Sequence, residues 1–173
     1  MFDVLHDPDY RKEWDEHMMA SIEIGFLNPN NDVGYYALSC PAPVKNRDFV
    51  LQRSWLDMDE EKLILNHSVN HKDYPAKKGY IRAISYLTGF VTDPRGKLPP
   101  WLVNKVTQKF APKVVKQLKR AAEGYECWKR RQENPLLKPW IYPEQMQGTK
   151  ISIMDCVDSD ATHIELETDE ENQ

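Results

Sequence analysis

From Ser21 to Phe90 the hydrophobic period is two rather than 3.6, and no other feature restricts the fold of this chain as much. SIEIGFL places Ile22, Ile24 and Phe26 on one side, NPNND supplies turn residues, and VGYYALS opens a second alternating run, so the pair reads as a hairpin. CPAPVKN is a proline-bounded corner, RDFVLQRSWL a third strand, MDEEK a turn and LILNHSV a fourth strand. After the polar connection HKDYPAKKG, YIRAISYLTGF is expected as a fifth strand. Five strands in succession without a helical crossover predict an antiparallel meander. One face of that sheet carries bulky aromatics, and another element has to cover it.

Two helical patterns flank the strands. In HDPDYRKEWDEHM, Asp7 is placed to cap, Pro8 suits the first helical position, and Tyr10, Trp14 and Met18 recur at four-residue spacing on one face. Beyond residue 100, WLVNKVTQKFAPKVVKQLKRAAEGYECWKRR predicts a long amphipathic helix. Leu102, Val106, Phe110, Val114, Leu118, Ala121, Ala122 and Tyr125 form its apolar stripe, with Lys105, Lys109, Lys113, Lys116, Lys119 and Arg120 along the margins. Pro112 is expected to kink or split it, because a proline removes one backbone hydrogen bond and crowds the preceding turn. The stripe is equally readable as core packing or as the apolar face of a helix lying on an anionic membrane.

Composition narrows the function classes. With 173 residues and 40% apolar content the chain suits one domain. Eight of its 27 acidic residues lie in 151–173 with no Lys or Arg, which leaves 19 acids against 23 bases in residues 1–150. The segment 143–173 is therefore expected to be an acidic, solvated tail. Cys40, Cys127 and Cys156 follow no zinc or disulfide spacing, which fits a reducing compartment, and Cys40 is expected as a buried structural thiol. The N-terminus lacks the pattern of a signal peptide, and no run is long and apolar enough to span a membrane. His67 and His71 would lie roughly 13 Å apart on a strand, too far to share a metal. Without a nucleophile motif, a Gly-rich phosphate loop or a nucleic-acid signature, no enzyme, cofactor or nucleic-acid partner is expected. The pair Arg11 and Asp15, four apart in YRKEWD, reads either as a surface ion pair or as an arginine carried inward to meet a phosphate.

YRKEWD, the corner CPAPVKNRDFV and DPRGKLPPWLVNK, in this order over residues 3–142, resemble the START (StAR-related lipid-transfer) domain family, in its phosphatidylcholine-transfer-like subgroup. The resemblance implies an α+β helix-grip fold, in which a curved antiparallel sheet packs on a long C-terminal helix around a phospholipid. It implies that Arg11 contacts the lipid phosphate and Asp15 the headgroup amine. Tyr36 falls on a position of the headgroup cage, Leu38 on a neighbouring wall position, and Phe49 replaces a cage tyrosine. Pro99, Pro100, Trp101 and Leu102 would form a lid or gate, with Val106, Phe110, Val114 and Leu118 on the cavity face of the helix.

The family pattern has a helix and three strands ahead of YRKEWD and two further strands between YLTGF and DPRG. Here these are missing, so the sheet is expected to be incomplete. The expected function is intracellular transfer of a glycerophospholipid, phosphatidylcholine or phosphatidylethanolamine, by a cytoplasmic protein that touches membranes transiently and peripherally. The alternative is a shortened, non-transferring scaffold that binds a membrane surface or a protein.

Overall fold

The computed structural model describes residues 1–58, 61–92 and 111–156. Two short helices open the chain, α1 (Phe2–His6) and α2 (Pro8–Trp14). Asp7 is the reason they are separate. Its backbone is extended, and its Oδ1 accepts from the backbone N–H groups of Asp9 and Tyr10 at 3.1 and 3.2 Å, which starts α2 with Pro8 in the first turn. The helix stops at Trp14, so Met18 does not share a face with Tyr10 and Trp14 as the spacing suggested. It begins a strand instead, because Asp15 leaves helical geometry where its carboxylate engages Arg11 and Tyr36.

The strands are β1 (Met18–Asn28), β2 (Asn31–Leu38), β3 (Arg47–Met58), β4 (Glu61–Ser68), β5 (Ile81–Arg82) and β6 (Thr88–Thr92). They form one sheet in the order β1-β2-β3-β4-β6, antiparallel throughout that path. The Asn28 side chain shapes the first hairpin by accepting from the backbone of Asn30 and the side chain of Asn31.

The expected fifth strand, residues 80–90, is in fact two pieces. Asp48 is fully buried, and Arg82 meets its two oxygens through Nε and Nη2, both at 3.0 Å. The same guanidinium donates to the carbonyls of Tyr74 and Pro75. This buried pair holds Ile81–Arg82 against the start of β3 in parallel, as β5. The chain then steps across Ser85, bonded to Ser68, before β6 pairs with β4. An uncompensated buried carboxylate costs more than one broken strand, so the charge decides the path.

Alternation gives the sheet two faces. Val33, Tyr35, Ala37 and Val50 form one buried cluster with Cys156, flanked by Tyr74, Tyr80 and Ile151. On the other face Trp55 and Ile64 pack with Phe2, Val4, Leu5 and Tyr10 of the two N-terminal helices and with α3 (Ala111–Lys129). Leu118, Ala121 and Tyr125 of α3 are buried, continuing the predicted stripe. Val114 is 46% exposed, so it does not extend that buried face. Pro112 is the second residue of α3, and the turn before it falls outside the described residues, as do Pro99, Pro100, Trp101, Leu102, Val106 and Phe110.

Polar groups fix the helices in place. Lys129 Nζ and Tyr125 Oη both donate to Asp7 Oδ2, at 2.8 and 3.0 Å, in surroundings that leave the two charged side chains 10% and 3% exposed. Tyr10 Oη donates to the Ala121 carbonyl at 2.7 Å. Further on, Lys138 Nζ and Trp140 Nε1 donate to the two oxygens of Asp3, and Trp55 Nε1 to the Trp140 carbonyl.

Part of the segment expected as a solvated tail from residue 143 makes contact with the sheet. Phe26 and residues 149–151 exchange backbone hydrogen bonds, Asp155 pairs with Lys72 at 2.5 Å, and Cys156 is buried in the second core. Ordered structure therefore reaches Cys156, because Ile151 and Cys156 cover apolar sheet that water would otherwise touch. Cys40, expected to be buried, is only partly so.

Candidate headgroup site

Arg11 sits one turn from the end of α2, and Asp15 is the residue that terminates that helix. Arg11 Nε donates to Asp15 Oδ2 at 3.1 Å, and Tyr36 Oη donates to the same oxygen at 2.7 Å. The guanidinium carbon lies 4.7 Å from the centre of the Tyr36 ring and 5.5 Å from that of Trp14, within cation–π range. Side-chain exposure is 32% for Arg11 and 13% for Asp15. The pair is thus neither a solvated surface bridge nor a sealed core pair. Arg11 meets Asp15 through Nε, with the Tyr36 hydroxyl also against its guanidinium, an arrangement that leaves the Nη edge of the fork open to an oxyanion.

Tyr36 is tied to this arrangement electrostatically. Burial pushes its hydroxyl up to about 12, with Asp15 adding to the shift and Arg11 opposing it. It therefore stays a donor at neutral pH. Phe49 is its direct partner across β2 and β3, and Leu38 lies two residues further along the same face. Both are half-buried. The structure thus brings Arg11, Asp15, Tyr36 and Phe49 to one corner where α2 meets β2 and β3. Leu118 belongs to the α1–α2–α3 core, and Val114 to the exposed surface of α3.

Sequence reasoning missed two charged groups near this face. Arg53 donates through Nε to Asp32 at 3.0 Å, makes a second bond to that carboxylate through Nη2, and reaches the Leu5 carbonyl at 3.4 Å. The signal was present, since Arg53 alternates with Phe49, Leu51 and Trp55 on the apolar side of β3. Lys129 was likewise readable as the next position of the stripe after Tyr125. The NRD of the corner turns out to have a structural role: Asn46 accepts from the Cys40 amide and Asp48 holds Arg82.

Among the described residues no group of three or more His, Cys, Asp or Glu could hold a metal, and no helix is long and apolar enough to cross a membrane. Two open surface grooves, of about 570 Å³ beside Leu27, Gln52 and Ile151 and about 550 Å³ beside Leu136 and Glu144, lie away from Arg11.

The START domain family model matches residues 1–97. START domain-containing protein 10 of mouse (Mus musculus) is 42% identical over 161 residues, covering 84% of this chain and 55% of the relative. The phosphatidylcholine transfer protein of mouse is 29% identical, covering 71% of this chain and 66% of its own length. The crystal structure of human STARD10 superposes with a TM-score of 0.77 at 39% identity, covering 92% of this chain and 72% of that one. The helix-grip architecture expected from the sequence thus matches a solved structure. The chain spans about half the length of the first of these relatives.

Proposed function

Because the chain belongs to the START domain family, we propose that it binds a glycerophospholipid and carries it between membranes. The observation that carries this reading is the open Nη edge of Arg11, half-exposed and oriented by Asp15 and Tyr36. In this reading the lipid phosphate bonds Arg11 Nη1 and Nη2, and the headgroup amine lies beside Asp15, walled by Tyr36, Leu38 and Phe49. Acyl chains lie between the sheet and the C-terminal helix, each buried methylene contributing about 0.8 kcal/mol. The relatives named phosphatidylcholine transfer protein favour phosphatidylcholine as cargo, with phosphatidylethanolamine the alternative. Carriage between membranes further calls for a cytoplasmic protein that touches each membrane peripherally. The function is binding and transfer, without a chemical step.

Lipid extraction from the purified protein followed by mass spectrometry tests this directly. Phospholipid is expected in the extract, and Arg11→Ala should reduce pickup about tenfold or more at unchanged expression, since hydrogen bonds to a charged group contribute about 1.5–3 kcal/mol. Pickup by the variant equal to wild type removes Arg11 from the site. A second reading, a scaffold that binds membranes without taking up lipid, is favoured by the exposed Lys113, Lys116, Lys119 and Arg120 on α3. Vesicle binding without lipid in the extract would establish it over transfer.

A further inference from the structure

His6 is the last residue of α1, and it is 2% exposed. Neither ring nitrogen has a hydrogen-bond partner. The imidazole is enclosed by three aromatic rings: Phe2 at 4.5 Å on its own helix, Trp55 at 4.9 Å on β3, and Trp140, stacked, at 5.7 Å. A neutral histidine already leaves a donor and an acceptor unmet here, and a protonated one would leave two donors and a charge unmet.

The charged groups around it offer no relief. From β3, Arg53 extends a guanidinium toward the His6 carbonyl, and its counter-charge Asp32, on β2, is already bonded to it. On either side of His6 in sequence, Asp3 is held by Lys138 and Trp140, and Asp7 by Lys129 and Tyr125. From β4, Lys62 lies 5.1 Å from the Phe2 ring, and the carboxylate nearest to it, Asp57 on β3, is already paired with it. Burial, with the Arg53 charge adding, pushes the His6 imidazole down to about 2.

We propose that α1 is an acid-released latch, in which protonation of His6 frees Phe2–His6 from the wall formed by Trp55 and Trp140 while the helix swings on the extended backbone of Asp7. The hinge is present already, since Asp7 caps α2 from outside both helices. Release exposes Phe2, Val4 and Leu5 and uncovers the two tryptophans, next to the helix that carries Arg11. The closed state binds a proton only far below the pH at which a solvated histidine does. Its advantage is therefore complete above about pH 6.5 and declines tenfold for each pH unit below that. The latch rests on the packing of His6 and is independent of the lipid reading.

Amide hydrogen exchange of the whole chain, corrected for the intrinsic rate at each pH, tests it between pH 7 and 5, where exposed carboxylates stay ionised. The amides of Leu5 and Asp7, bonded to the carbonyls of Met1 and Asp3, report α1. Their opening constant should rise about tenfold per pH unit below about 6 in the wild type and stay level in His6→Phe. A level wild-type profile, or an equal slope in the variant, overturns the latch. Should His6→Phe fail to fold, the His6 ring resonance in the wild type decides. Titration near pH 6.5 with α1 amides still protected refutes the proposal, and a ring that stays neutral until that protection is lost supports it.

Discussion

Replacing Asp7 by asparagine isolates one charge in the joint between the N-terminal helices and α3. Asparagine caps a helix about as well as aspartate, so the bonds from the amides of Asp9 and Tyr10 survive. What disappears is the negative partner of Lys129, whose ammonium lies 2.8 Å from Asp7 Oδ2 with its side chain 10% exposed. Stranding a charge at such depth costs about 3–5 kcal/mol, a large share of the roughly 5–15 kcal/mol that holds a domain folded. Lys129→Met should cost less, because Asp7 keeps Tyr125 and two backbone donors. The double variant should recover about 1–3 kcal/mol relative to the sum of the two. Urea unfolding followed by tryptophan fluorescence measures all four proteins; with m of about 1–3 kcal/mol/M, Asp7→Asn should move the midpoint down by about 1 M or more. An Asp7→Asn protein within about 0.5 kcal/mol of wild type, or a double variant no better than the sum, would refute the buried-pair account.

Two further perturbations address the joints of the sheet. Asp48→Asn should destabilise the fold by about 3 kcal/mol and weaken exchange protection of the amides of Ile81 and Ala83, since the Arg82–Asp48 pair reinforces the backbone bonds from those two amides to the carbonyls of Asn46 and Asp48. Retention of that protection would show that backbone pairing suffices. Gly25→Ala should detach residues 149–156, because the new Cβ would lie 2.7 Å from Ile151 Cγ2 and against the Thr149 carbonyl. The Cys156 thiol, buried in wild type, should then react with a thiol reagent as fast as exposed Cys127, and an unchanged rate would contradict this.

Features set by neighbouring residues were legible in the sequence. The period-two runs gave β1 to β4 and their hairpin order, and Asp7 with Pro8 gave the start of α2, because side-chain alternation and capping are settled within a few residues. Arg11 and Asp15 were visible as a pair for the same reason, while the grouping of Tyr36 and Phe49 with them came from motif likeness and agrees with their cross-strand register.

Tertiary structure decided where buried charges find partners. Asp48 and Arg82 are 34 positions apart and Asp7 and Lys129 are 122 apart, so no local pattern could announce either bond. Yet the first splits a promising strand and the second fixes the face of α3. The same holds for residues 143–156, whose composition reads as the start of a solvated tail but whose Ile151 and Cys156 are drawn onto apolar sheet. Apolar periodicity determines which side of an element faces inward; it does not determine what lies opposite. A charge taken from water must meet its counterpart wherever the chain brings one within about 3 Å, and that distance exists only once the fold has closed.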